Sequence, residues 1–143
     1  MAITQCFPRQ ARRDIWTGVH DFVAETYKLA LYTSTASLSQ GTSSYTATGE
    51  VSANGSYVAG GVTVTPNVTL VSTTGVVDFD DLVLTSVTFN TTGFTIYEVS
   101  SSKIAGIYAF DSEKIVSNGT FTIQFPAPTS AAGALRARVS ANP

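Results

Sequence analysis

The chain has 143 residues and a hydrophobic fraction of 43%, which suits one domain with a real core. Only 13% of residues are charged, and eight basic against ten acidic side chains leave a net charge of −2. That balance excludes the basic field nucleic-acid binding needs, and no apolar stretch reaches the length of a membrane span.

Residues 1–25 differ from everything that follows. Phe7, Ala11, Ile15, Val19, Phe22 and Val23 recur at steps of three and four, which predicts an N-terminal arm and amphipathic helix. Pro8 fits the first turn, where its missing N–H costs nothing. Gly18 weakens such a helix by about 1 kcal/mol, so its stability has to come from packing. Phe7, Ile15, Trp16 and Phe22 need a cover, either the chain's own sheet or a neighbouring subunit. Arg9, Arg12 and Arg13 form a small basic set, read either as a solvated face or as a dock for an acidic patch.

From residue 27 the period becomes two. Tyr27, Leu29 and Leu31 alternate on one face of a strand. Residues 34–48 are mostly Ser, Thr, Ala, Gly and Gln and predict a long loop. A short extended piece follows at 49–51. Asn54-Gly55 and Gly60-Gly61 are turn signals on either side of Tyr57. Residues 62–70 alternate again, with Pro66 placed at a bulge or sheet edge. Further strands are predicted at 76–79, 82–89, 93–99 and 103–110. After a turn at Ser117-Asn118-Gly119, Phe121, Ile123 and Phe125 alternate with threonine and glutamine. Pro126 and Pro128 end that strand. The last strand, 135–139, places Arg136 and Arg138 on one face. About eight short strands cut by Gly, Asn and Pro predict a mainly β, single-domain chain, 1–143. The expected architecture is an antiparallel β-sandwich, jelly-roll or immunoglobulin-like, with one N-terminal helix.

Chemistry is sparse in this pattern. His20, the only histidine, lies among apolar helix residues, a poor setting for a triad base. Cys6 is the only cysteine, which excludes an internal disulfide and leaves an inert thiol or an intermolecular bridge. Asp78, Asp80 and Asp81 read as a strand end with an Asx turn, or as part of a calcium site lacking its other ligands. Glu98 and Asp111 are isolated carboxylates. The triplets at Asn54, Asn67, Asn90 and Asn118 read as turn chemistry rather than glycosylation signals, since no secretion signal is evident. There is no P-loop, dinucleotide fingerprint or zinc spacing, so no catalytic, cofactor-binding or metal-ligating residue is assigned. Tyr27, Tyr32, Tyr57, Phe94, Tyr97 and Tyr108 serve either core packing or sugar stacking.

Taken in order, several stretches resemble a family of small tailed-phage virion proteins. They are Lys28-Leu29-Ala30-Leu31-Tyr32-Thr33-Ser34, Thr48-Gly49-Glu50-Val51 and Tyr57-Val58-Ala59-Gly60-Gly61, then Val76-Val77-Asp78-Phe79-Asp80-Asp81 and Gly119-Thr120-Phe121-Thr122-Ile123-Gln124-Phe125-Pro126. Gly18-Val19-His20-Asp21-Phe22 before the first strand fits as well. The resemblance implies a non-enzymatic role in a virion, first as a capsid decoration or cement protein on the major capsid protein lattice. Alternatives are a tail, collar or head–tail connector component, and a surface carbohydrate-binding module. It further implies other virion proteins as partners, a homo-oligomer, and neither nucleic acid nor membrane. Phe7, Arg9, Arg12, Arg13, Trp16, Arg136 and Arg138 are the candidate partner-binding residues.

Overall fold

The computed structural model describes residues 3–125 and, as backbone, 135–137. These form one helix, α1 (Arg9–Trp16), and seven strands: β1 (Tyr27–Tyr32), β2 (Val62–Val64), β3 (Pro66–Val71), β4 (Thr74–Phe79), β5 (Leu82–Glu98), β6 (Ile104–Ile123) and β7 (Leu135–Ala137). The chain is therefore mainly β. Two antiparallel sheets result, one ordered β2-β1-β5-β6 and one ordered β3-β4-β7.

The four-stranded sheet is covered on both faces, and β1 records it. Tyr27, Leu29 and Leu31 enter one apolar cluster with Phe94 and Ile96 of β5 and Phe79 of β4. Ala30 and Tyr32 point the other way, into a second cluster with Ala36, Leu38, Tyr97, Ile104 and Ile107. A strand buried on both faces reads as a nearly continuous apolar run, as Leu29-Ala30-Leu31-Tyr32 does. The N-terminal arm completes the second cover. Ile3 and Cys6 pack there, and Cys6 exchanges backbone hydrogen bonds with Ile107 at 3.0 and 3.1 Å.

Three expectations change. The first is the strand count of about eight. The runs expected at 82–89 and 93–99 are one strand, β5, and those on either side of Ser117-Asn118-Gly119 are both β6. Asn118 adopts φ +46° and Ser86 φ +55°, and the ladder shifts register beside both. These are bulges, in which one extra residue is absorbed without ending the strand. Asn-Gly has the same left-handed preference in a bulge as in a turn, so its local signal cannot separate the two.

The second is the run at 62–70. The chain leaves one sheet after Val64 and enters the other at Pro66. Pro66 starts an edge strand, where its lost donor faces no partner.

The third is the helix. It has eight residues, and Pro8 caps it rather than lying within it. Gly18, at φ +82°, ends it. The Val19 N–H reaches the Asp14 carbonyl at 2.9 Å and the Gly18 N–H reaches that of Ile15, the paired bonds of a Schellman motif. The expected apolar face is consequently not continuous. Ala11 is buried and Ile15 half-buried, whereas Trp16 and Val23 are 88% and 86% exposed. Phe22 has left the helix and stacks on Tyr27 with ring centroids 4.9 Å apart. No helix among the described residues is long and apolar enough to cross a membrane.

Candidate partner-binding surface

Helical spacing sets Arg9, Arg12, Arg13 and Trp16 on one face of α1, since they stand three or four residues apart. The opposite face anchors the helix. Ala11 has no exposed surface. Buried Asp14 accepts a hydrogen bond from the Gln10 side chain at 3.0 Å, and its carbonyl holds the turn that ends the helix. The Arg9 N–H donates to the Gln40 carbonyl at 3.1 Å, tying the helix start to the loop after β1.

The outer face is left with an exposed indole and three exposed guanidinium groups. Among the described residues, the one carboxylate contact of these arginines is Arg13 to Asp14, at 3.9 Å. Helix stability does not explain the charges. The first turn has no acidic residue and carries Arg9, where the helix dipole disfavours a cation by about 0.3–1 kcal/mol. Only Arg13 sits in the last turn, where a cation is favoured.

The remaining candidates lie elsewhere. Phe7 is half-buried in the arm. Arg136 lies in β7 opposite Val76 of β4, in the other sheet from β6, on which α1 packs. Arg138 falls outside the described residues. The structure thus groups Arg9, Arg12, Arg13 and Trp16 and leaves Arg136 apart.

The residues weighed for chemistry are engaged otherwise. His20 is buried between the Tyr27 hydroxyl and the Ile104 carbonyl, each 3.2 Å from a ring nitrogen. A carbonyl only accepts, so Nε2 carries the proton and Nδ1 accepts from Tyr27. Burial lowers the His20 pKa and keeps the ring neutral. Cys6 is half-buried, and burial raises its thiol pKa, against the reactivity of a nucleophile. Asp80 accepts from the Asn67 amide at 3.0 Å and Asp81 from the Phe125 N–H at 2.9 Å, so the two carboxylates serve separate partners. No group of three or more metal-ligating residues converges among the described residues. Asp111 pairs with Lys114 at 2.6 Å. At Glu98 burial favours the neutral acid, but hydrogen bonds from Ser100 and Ser101 outweigh it and hold the pKa below the usual 4.5. Sugar stacking requires exposed tyrosines; Tyr27, Tyr32, Tyr57 and Tyr97 are buried, and Tyr45 and Tyr108 half-buried.

One constellation has no counterpart in the sequence reading. The Glu50 carboxylate accepts from the Tyr45 hydroxyl, from the Tyr57 hydroxyl at 2.8 Å and from the Gly60 N–H at 2.7 Å. Tyr45 stacks on Tyr97 at 4.7 Å, and the Tyr97 hydroxyl donates to the Gly60 carbonyl. Tyr57 also accepts the Leu31 N–H at 2.9 Å. A signal was available: Glu50 is the only charged residue between Lys28 and Asp78. A lone carboxylate in so long a neutral stretch has to be satisfied by neutral donors, and three tyrosines lie nearby in sequence or across the sheet. The cluster is satisfied internally and fastens the loop. No protein-family model, curated protein or solved structure matches the chain.

Proposed function

We propose that this chain is a non-enzymatic structural subunit of a tailed-phage virion, a capsid decoration or cement protein that seats on the major capsid protein lattice. The outer face of α1 is the contact. The observation that carries the reading is Trp16, 88% exposed beside three arginines with almost no carboxylate partner. Tryptophan and arginine are the residues most enriched at interface hot spots, and an indole left in water gains most when a partner covers it. Three guanidinium groups fit an acidic patch, to which arginine binds by paired hydrogen bonds.

The fold supports the reading as a platform. Phe79 of β4 reaches the cluster on the four-stranded sheet, as it would in a β-sandwich of jelly-roll or immunoglobulin-like type. The arm is fastened to Ile107 and Leu38, so it carries α1 in a fixed orientation. Cryo-electron microscopy of intact particles tests the proposal. The expected map shows the chain at dozens of copies or more on the head, with α1 against an acidic capsid surface. Its presence only in tails, or at a few copies per particle, favours a tail, collar or connector component and defeats the decoration reading. A Trp16→Ala, Arg12→Glu, Arg13→Glu variant is expected to fold normally and to lose binding to undecorated heads.

A further inference from the structure

The edge strand β3 stands out on grounds independent of α1. Its outer side meets no other strand among the described residues. Antiparallel pairing alternates hydrogen-bonded and free positions, and the Asp80 N–H donates to the Thr65 carbonyl at 3.0 Å. Asn67, Thr69 and Val71 therefore share the bonded phase toward β4, while Val68 and Leu70 turn their N–H and C=O groups outward. Pro66, also in the outward phase, offers no donor. Val68 and Leu70 are 54% and 72% exposed and lie on one face of the strand. Protein edges are ordinarily guarded by lysine, proline, inward charges or a bulge; Pro66 guards only the start of β3, and residues 67–71 carry no charge and pair with β4 in unbroken register.

We infer that β3 is a self-association edge whose occupant is β3 of a second copy of this chain. A two-fold axis at Thr69 sets Val68 opposite Leu70 of the other copy, and the reverse. Each donor then faces an acceptor, and the four apolar side chains meet on one face. The neutrality of β3 favours a copy of itself, because no like charges oppose one another along the pair. A charged partner strand would find no counter-charge within β3 itself. The strand edge covers little area, so the contact is a weak one that repetition in an assembly strengthens.

Sedimentation equilibrium of the full chain over a wide concentration range tests this. The expected result is a monomer–dimer equilibrium whose dissociation constant rises at least about tenfold in Val68→Lys, Leu70→Lys. Trp16→Ala should leave it unchanged, which separates this contact from the α1 surface. In a Cys6→Ser background, Thr69→Cys should form a disulfide-linked dimer on mild oxidation, because facing residues at a two-fold in the non-bonded phase lie about 4.5 Å apart at Cα. Thr35→Cys, on an exposed loop, is the control. A chain monomeric throughout, a lysine variant that associates as tightly as the parent, or cross-linking of Thr69→Cys no better than the control would overturn the inference.

Discussion

The loop between β1 and β2 and the β3–β4 hairpin reverse the usual relation between regularity and anchorage. The loop, residues 33–61, has no named strand, yet it buries Ala36, Leu38, Val51 and Tyr57. It is stitched to the sheet by Val51 N–H to Leu31, Tyr45 N–H to Ser102 and Ile104 N–H to Ser43, at 2.8–3.0 Å. Asn54-Gly55-Ser56 continues the stitching along β5, where Asn54 accepts the Thr88 N–H at 2.7 Å. Gly55 lies so close that a Cβ would stand 2.1 Å from the Ser86 carbonyl oxygen. The hairpin has a full ladder, but four successive residues of β3, Asn67 to Leu70, are exposed. Hydrogen-bonded regularity organises a segment; buried side chains and satisfied polar groups hold it to the body.

Substitutions in the loop should therefore cost far more than substitutions in the hairpin. Tyr57→Ala has the largest expected effect. It removes a fully buried ring, strands the Leu31 N–H and takes one of three donors from Glu50, so about 4–5 kcal/mol of stability is expected to go. Denaturant unfolding measures it. A loss under about 2 kcal/mol would mean the loop rides on the sheet rather than bracing it. Glu50→Ala is next. It strands two tyrosine hydroxyls and the Gly60 N–H, and about 2–3 kcal/mol is expected because part of the site can rehydrate. Glu50→Gln should recover some of that loss by accepting one or two of the same bonds.

How much of this was legible in the sequence follows the same division. The alternation of Tyr27, Leu29 and Leu31, the short extended piece around Glu50 and the edge position of Pro66 depend on local pattern, and they appear in the fold. The continuity of β5 and β6 did not show, because a bulge and a turn use the same left-handed residues. The end of α1 was misplaced for a related reason: Gly18 reads as a weak helix residue until the Schellman bonds are seen. Arg9, Arg12 and Arg13 are legible as a basic set, but the sequence groups Trp16 with Phe7, Ile15 and Phe22 as residues needing cover. Which side of the helix would be covered was not, because Ala11 and Asp14, not the large apolar residues, make the buried contact. The Glu50 clamp joins Tyr45, Tyr57 and Gly60 with a tyrosine from β5, and no periodicity encodes such a meeting.

Titration provides a third, milder probe of the anchored side. Burial lowers the His20 pKa from 6.5, so the folded state favours the neutral ring and the unfolded state binds the proton first. This contribution is complete above pH 6.5, declines as the pH falls below it, and levels off below the folded pKa. At the alkaline end burial raises the Tyr32 pKa from 10.0 to about 12 and pushes those of Tyr27, Tyr45 and Tyr57 up as well. Stability should therefore also fall as the pH rises above 10.0, the usual tyrosine value. His20→Gln is expected to flatten the stability profile between about pH 7 and 5, leaving the alkaline limb in place. An unchanged acidic slope would place its source in groups other than His20.

The smallest expected effect is Leu70→Thr, and it bears most directly on the contrast. The side chain is 72% exposed, so shortening it removes little burial, and threonine, being β-branched, suits a strand. Its position in β3 turns its backbone groups away from β4, so no ladder bond depends on it. Unfolding of the monomer at low protein concentration should shift by less than about 0.5 kcal/mol. Self-association at high concentration should weaken, because the lost methyl groups are the ones the second copy would cover. A monomer destabilised by about 2 kcal/mol would show that Leu70 is already packed within one chain, and the hairpin would then be as firmly anchored as the loop.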